Sequence, residues 1–226
     1  MKKILILGEN EKLNDELKHM FYADSILSKN SKDFPDIIFE TTNINREIKF
    51  NNLKFIDDNY DATTPVISSS LCIPVLEQSV ESWRPERIIG AALYPTFSEV
   101  KGIEIARTHL TDEHIFAKVK TWLEYFKQVH VAQDRAGLIH LRIILLIINE
   151  AYLVWQEGTS NEADIDTAMR LGTNYPYGPI DWSKRIGVDL VYHVLNKMND
   201  DFKDDRYRIT PLLKEKYLEH LITAGS

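Results

Sequence analysis

Short apolar runs alternate with stretches of helical periodicity through the first half of the chain, and this alternation constrains the fold more than any other feature of the sequence. Residues 2–8 are rich in isoleucine and leucine and end in glycine, and residues 12–22 then place apolar side chains three and four positions apart. Further strand candidates lie at residues 36–40, 65–69, 88–93 and 102–106, with helix candidates at 46–55 and 112–125. Because parallel strands need a crossover, which is usually a helix, the pattern predicts an α/β layer with a largely parallel sheet.

The pattern changes near residues 131–137 and is almost purely helical from there on. Residues 138–156 are apolar on nearly every side, which predicts either the central helix of a second domain or a helix in a subunit interface. The remaining helix candidates are residues 161–171, with Ser160 as N-cap and Gly172 as stop signal, residues 180–202, and a last helix from Pro211.

Charge and composition exclude several classes of protein. The chain has 27 basic and 34 acidic residues, a net charge of −7, and no block of lysine and arginine, so we expect no nucleic-acid partner. Cys72 is the only cysteine, so no internal disulfide can form, and His109, His114 and His130 show no metal-ligand spacing with it. The apolar run at residues 143–148 is far short of the roughly 20 residues that span a bilayer. The start, MKKILILGEN, turns charged too early for a signal-peptide core, so we expect a cytoplasmic protein without membrane association.

A long stretch of the helical half carries a family resemblance. The run DIDTAMRLGTNYPYGPIDWSKRIGVD at residues 164–189, followed by PLL at 211–213, resembles the C-terminal domain of 3-hydroxyacyl-CoA dehydrogenases. The same register continues through pieces of the first half: DIIFE at 36–40, NREIK at 45–49, SSSL at 68–71 and RPERIIG at 84–90. The chain is therefore identified as a shortened, degenerate member of that family.

The resemblance implies a fold and an activity. We expect a reduced Rossmann-like α/β domain at residues 1–134, followed by an all-α 3-hydroxyacyl-CoA dehydrogenase C-terminal domain at 135–226. The family reaction is the NAD-dependent oxidation of a 3-hydroxyacyl-CoA to a 3-oxoacyl-CoA in fatty acyl-CoA metabolism, and the helical domain tends to supply a homodimer interface.

The turn that would hold the cofactor departs from the family pattern. A dinucleotide fingerprint uses glycines for a tight turn, for close approach of the backbone to the pyrophosphate and for helix packing. Here only Gly8 remains, and Glu9 and Glu11 place carboxylates where the anionic pyrophosphate would rest. The run SILSK at residues 25–29 supplies no acid for the ribose. By resemblance the cofactor is NAD, with Gly8 and Lys49 as its remaining contacts, and we expect NAD binding to be impaired.

The residues that would move protons are also altered. In the family the general base is a histidine in a run resembling GLHFFNP, and the matching run in this chain is GAALYPT. The position of the base is therefore Ala92, and that of its asparagine neighbour is Pro95. The glutamate that orients the base in the family persists as Glu104, and Ser69 matches a serine that contacts substrate. The asparagine of a GFIVNR-like run is Leu141. Loss of the base alone predicts a rate lower by about 10²–10⁴-fold.

Several of these residues have alternative interpretations. Glu104 is either a relic of the catalytic pair or an ordinary strand-end charge paired with Lys101 or Arg107. His140 lies one residue from Leu141 and is the best substitute base by proximity, but one step along a helix turns its side chain about 100° away. The simpler interpretation is that His140 makes its hydrogen bonds at the start of a helix and has no catalytic role.

Two functions from different classes remain open. The first is a dehydrogenase of the family with weak or altered NAD-dependent activity. The second is a non-catalytic relative that dimerises through residues 137–226 and binds an acyl-CoA or regulates an active homologue. Titration with NADH and acetoacetyl-CoA separates the two.

Overall fold

The computed structural model describes residues 1–224, and it divides into two compact units, Met1–Leu138 and Ile139–Ser226. Residues 225 and 226, which the sequence assigned to the helical domain, lie outside the described residues. No helix in the described part of the chain is long and apolar enough to cross a membrane.

The first unit is built around a seven-stranded sheet with the order β2-β1-β3-β4-β5-β6-β7. Neighbouring strands are parallel except for the antiparallel pair β5 and β6. The strands are β1 Lys3–Leu7, β2 Ser25–Leu27, β3 Ile37–Glu40, β4 Val66–Ser69, β5 Ile88–Ala91, β6 Gly102–Arg107 and β7 Gln128–Gln133. The predicted, largely parallel α/β sheet is confirmed.

Helices cover both faces of this sheet and bury its alternating side chains. The helices are α1 Glu11–Met20, α2 Arg46–Asn59, the short α3 Val75–Gln78 and α4 Glu113–Leu123, with a 3₁₀ turn at Pro85–Arg87. In β1, Ile4 packs in one core with α1 and α4, whereas Leu5 packs in the other with α2 and α3. Successive side chains of a strand point to opposite faces, so one strand contributes to both cores.

The second unit is helical in the described residues. Its helices are α5 His140–Gln156, α6 Glu162–Thr173, α7 Pro179–Ile186, α8 Val188–Phe202 and α9 Pro211–Ala224, with a 3₁₀ turn at Asp205–Tyr207. The combination of a Rossmann-like sheet and this helical unit is the fold that the sequence predicted.

Several details of the predicted elements were wrong. Asn161 rather than Ser160 caps α6, because its side chain accepts the N–H of Asp164. The helix runs past Gly172 to Thr173, and Asn174 is its C-cap in the left-handed region. The periodic stretch at 180–202 is two helices, since Gly187 at φ +105° separates them. The change to helix comes after β7, an element that the sequence did not predict.

Candidate functional site

The region to which the resemblance assigns chemistry lies at the carboxyl ends of the parallel strands. Sheet order reverses at β1, with β2 on one side of it and β3 on the other. In open α/β sheets such a switch point forms a crevice outside the carboxyl ends of the strands, where ligands bind. This crevice is bordered by the turn after β1, the segment after β3 and the ends of β4 and β5.

The turn after β1 is tied to the end of β3 by the chain's own side chains. Gly8 has φ +135°, and a methyl group there would clash with the Thr41 hydroxyl. The Thr41 hydroxyl donates to Asn14 Oδ1 at 2.6 Å, and the Asn14 amide donates to the Gly8 carbonyl at 3.0 Å. The absence of a side chain at Gly8 thus lets Thr41 lie close to the backbone. In the dinucleotide fingerprint, a glycine instead lets the backbone lie close to the pyrophosphate.

The residues around this turn do not fit an anionic dinucleotide. Asn10 caps α1 by accepting the N–H of Leu13 at 3.0 Å, so one donor of the helix N-terminus is already used. Glu9 and Glu11 flank that cap and are exposed. Two carboxylates at a helix N-terminus compete with a bound phosphate for its positive end. β2 ends at Leu27, and the next residues, Ser28 and Lys29, provide no acid for a ribose.

A buried charge pair lies beside this crevice. Glu40, at the end of β3, and Lys49, in α2, are both fully buried and form an ion pair. The Lys49 ammonium also donates to Ser68 Oγ at 3.0 Å, and the Asn52 amide donates to Glu40 at 3.0 Å. Burial lowers the pKa of Lys49, and the Glu40 carboxylate opposes that shift. Lys49, which the resemblance gives as a remaining cofactor contact, lies in α2, and its ammonium is enclosed by protein groups.

Ser69, at the end of β4, makes its hydrogen bonds within the chain. Its hydroxyl donates to Asn43 Oδ1, and the Asn43 amide donates to the carbonyl of Leu93 at 2.9 Å. Ser69 is 1% exposed and Asn43 is 6% exposed, so this pair lies beneath the surface. The structure therefore places the matched serine beside β5, with its hydroxyl proton directed at an asparagine.

The vacated base position is the carboxyl end of β5. The Ala92 N–H donates to the Glu104 carbonyl at 3.0 Å, so the two positions are paired across β5 and β6. The nearby Tyr94 is buried, and both burial and the Glu104 carboxylate raise the pKa of its phenol. A phenol with a raised pKa stays protonated at neutral pH, so it cannot accept a proton from a substrate hydroxyl.

The alternative interpretations of the other residues also have structural answers. Glu104 lies within β6 and not at a strand end, and Arg107 forms its ion pair with Glu113. His140 begins α5, and its ring lies 5.7 Å from that of Trp182. Leu141 is buried in the same helix.

Sequence reasoning did not identify the polar residues that fill the crevice. Thr41, Thr42 and Asn43 follow β3 directly, and Asn14 comes from α1. A signal was present, since polar residues at the carboxyl end of a buried strand in an α/β sheet lie at the ligand-binding edge. Their partners come from other segments of the chain, which a single sequence does not pair.

The helical unit carries an apolar groove of its own. It has a volume of about 520 Å³ and lies between α5 and α6. Its lining is Leu146, Ile147, Ala151, Val154, Ile165, Ala168, Met169 and Pro179, with Glu150, Ser160 and Asp164 as the polar members. In α5, Ile143 is 57% exposed and lies one helical turn before Ile147. An exposed apolar surface of this kind is typical of an association site.

The chain is similar to known proteins both in its helical part and over most of its length. A family model described as 3-hydroxyacyl-CoA dehydrogenase, C-terminal domain, matches residues 137–223. A 3-hydroxybutyryl-CoA dehydrogenase from Clostridioides difficile is 28% identical over 79% of this chain and 64% of its own length. A 3-hydroxybutyryl-CoA dehydrogenase from Bradyrhizobium diazoefficiens is 31% identical over 81% of this chain and 63% of its own length. The chain thus spans less than two thirds of these relatives.

Solved structures show the same fold. The crystal structure of (S)-3-hydroxybutyryl-CoA dehydrogenase PaaH1 from Ralstonia eutropha matches with a TM-score of 0.81 at 20% identity, covering 100% of this chain and 94% of that one. At this identity the likeness concerns the fold alone.

Proposed function

Because the chain belongs to the 3-hydroxyacyl-CoA dehydrogenase family, we propose that it is a non-catalytic member, which associates through its helical unit and does not transfer hydride at a useful rate. The family acts on acyl-CoA substrates, so the setting that we propose is fatty acyl-CoA metabolism in the cytoplasm. One observation carries the proposal: the methyl group of Ala92 stands where the resemblance places the general base. A methyl group accepts no proton, and the nearby Tyr94 phenol is protonated.

The environment of Ala92 supports the same conclusion. Oxidation of a hydroxyl needs a base within hydrogen-bond reach, which typically contributes about 10²–10⁴-fold to the rate. The Ser69 hydroxyl, which would orient the substrate, donates to Asn43. The turn after β1 makes its contacts with Thr41 and Asn14, and its two carboxylates disfavour the pyrophosphate of NAD.

Titration with NADH and acetoacetyl-CoA tests the proposed loss of catalysis. We expect no saturable NADH binding and no loss of NADH absorbance when both ligands are present. Binding of acetoacetyl-CoA without turnover would make the chain a non-catalytic acyl-CoA-binding protein. Turnover that Glu104→Gln abolishes would establish an active dehydrogenase and overturn the proposal.

Self-association of the helical unit is the second part of the proposal. Fully buried apolar area is stabilising at about 25 cal/mol per Å², and the exposed Ile143 next to the α5–α6 groove offers such area to a second copy. Sedimentation equilibrium of the whole chain should give a dimer or a larger assembly. Ile143→Glu should lower the mass, because it places a charge in the interface. The matched control is Val80→Glu, since Val80 is 80% exposed in the first unit.

A further inference from the structure

The outer edge of β7 differs from the other edge of the sheet. The sheet ends in β2 on one side and in β7 on the other. β2 has only three residues, Ser25–Leu27. β7 has six residues, QVHVAQ, without a lysine, arginine, acidic residue or proline. Charges, proline and short length are the usual protections of an edge strand, so the β2 edge is protected and the β7 edge is not.

The hydrogen bonds of β7 define which backbone groups face outward. The N–H of Gln128 donates to the Lys101 carbonyl at 3.0 Å, toward β6. The two strands are parallel from Gly102 opposite Gln128 to Arg107 opposite Gln133. Since successive residues of a strand direct their N–H and C=O groups to opposite sides, those of Val129, Val131 and Gln133 point away from β6. In the described part of the chain no hydrogen bond reaches these outward groups.

We propose that β7 pairs with β7 of a second copy of this chain, antiparallel and with Val131 facing Val131 across a two-fold axis. The register follows from the alternation, because hydrogen-bonded pairs require outward-facing residues to lie opposite each other. Val131 then meets Val131, Val129 meets Gln133, and His130 meets Ala132. No two like charges face each other within the strands, so the edge is complementary to itself, as a two-fold interface requires.

Side chains around the edge favour this occupant. Val131 is 50% exposed, and β-branched residues are preferred in paired strands. Tyr125 and Phe126, in the turn before β7, are 81% and 41% exposed and add apolar surface at one end of the edge. Lys127 turns its ammonium back onto the carbonyls of Phe97 and Val100, so its charge is directed away from the edge.

The proposed register fixes the number of backbone hydrogen bonds across the two-fold axis and the size of the combined sheet. Two bonds for each hydrogen-bonded pair give about six backbone hydrogen bonds across the axis. The paired sheets would form one continuous sheet of twice seven strands, within the range of large open sheets. This interface is separate from the α5–α6 groove and does not rest on the proposed function. With both in use, the chain would form a tetramer or an extended assembly.

Disulfide trapping tests the register directly. In a Cys72→Ala background, Val131→Cys places two thiols in a hydrogen-bonded pair, whose α-carbons are about 5.5 Å apart, within the range of a disulfide. Mild oxidation should give a species of twice the chain mass that reductant removes. The control is His130→Cys, whose counterpart lies two residues away along the strand in this register and is beyond disulfide reach. Cross-linking of Val131→Cys no stronger than that of His130→Cys would overturn the proposal.

Mass measurements separate this interface from that of the helical unit. In an Ile143→Glu background, the chain should still associate, and adding Val131→Lys should reduce it to a monomer with an unchanged circular dichroism spectrum. A mass that Val131→Lys leaves unchanged, together with absent Val131→Cys cross-linking, would refute edge pairing. If Ile143→Glu leaves the mass unchanged while Val131→Lys lowers it, the edge is supported and the helical interface fails.

Discussion

At the scale of single residues, the end of β3 holds a charge pair that water does not reach. Glu40 and Lys49 are fully buried, and Asn52 and Ser68 complete their hydrogen bonds. Taking two charges out of water costs several kcal/mol per ion, and their mutual attraction offsets this cost only when the remaining hydrogen bonds are made. The pair therefore depends on both partners being present.

Lys49→Met should destabilise the chain by about 3–5 kcal/mol, because it leaves the Glu40 carboxylate buried without a cation. Urea unfolding followed by circular dichroism measures the change. The double variant Lys49→Met/Glu40→Gln should lose less than the sum of the two single variants, since neither charge remains. The control is Lys54→Met, which removes an ion pair with Glu81 in which both side chains are over a third exposed, and it should cost less than about 1 kcal/mol. Equal losses for Lys49→Met and Lys54→Met would contradict the argument.

The sequence predicted single residues where a spacing identifies them. The run GAALYPT and its distance to Glu104 align Ala92 with the family base, which stays a prediction, and the structure pairs the two positions across adjacent strands. The direction of the Ser69 hydroxyl could not be predicted, because Asn43 comes from the end of a different strand. The ion pair of Lys49 could not be predicted either, since only the fold reveals that Glu40 lies within reach of α2.

At the scale of elements, α7 begins against α6. Asp166, in α6, accepts the N–H groups of Ile180 and Asp181 at 2.8 and 3.0 Å, so one side chain caps a neighbouring helix. Gly178, just before α7, lies against the Asp166 side chain. Pro179 occupies the first turn, where its missing N–H leaves no donor unsatisfied. The cap therefore leaves no space for a side chain at position 178.

Gly178→Ala should destabilise the chain by about 2–4 kcal/mol, because the added methyl would clash with Asp166 and displace the cap. The matched control is Gly172→Ala in α6, where no atom lies within 4 Å of the added methyl. This control should be neutral or stabilising by about 0.5 kcal/mol, since alanine reduces the entropy of the unfolded chain. Thermal unfolding of both variants checks the contrast. A Gly178→Ala variant as stable as Gly172→Ala would mean that the cap does not constrain this position.

Buried strands and most helices could be predicted from their apolar residues, whereas β7 and the break at Gly187 were missed. The buried strands β3 and β5 contain the apolar runs IIF and IIGA, which the sequence displays directly. The polar and apolar residues of β7 alternate, which is a strand signal, but the strand is short and exposed at most positions and was not identified. The periodic apolar residues of 180–202 concealed the break at Gly187, where a positive φ ends one helix and the next begins at once.

At the scale of the whole molecule, the proposed loss of hydride transfer is distributed over several elements. The turn after β1 contacts Thr41, the end of β4 directs Ser69 at Asn43, and the end of β5 carries Ala92. None of these changes disturbs the strand order or the two cores. A fold can therefore persist while the site on it changes, because function depends on individual side chains.

This distribution predicts that Ala92→His alone will not restore hydride transfer. The new imidazole would lie beside Glu104, which recreates the family pair of base and carboxylate, yet the turn after β1 would still not fit a pyrophosphate. We expect no NADH consumption with acetoacetyl-CoA and no saturable quenching of protein fluorescence by NADH. Because Ala92 is 6% exposed, a larger side chain will also strain the site, so circular dichroism must first show that the variant is folded. Turnover by folded Ala92→His that Glu104→Gln then removes would show that only the base was lost, and that the crevice accepts NAD after all.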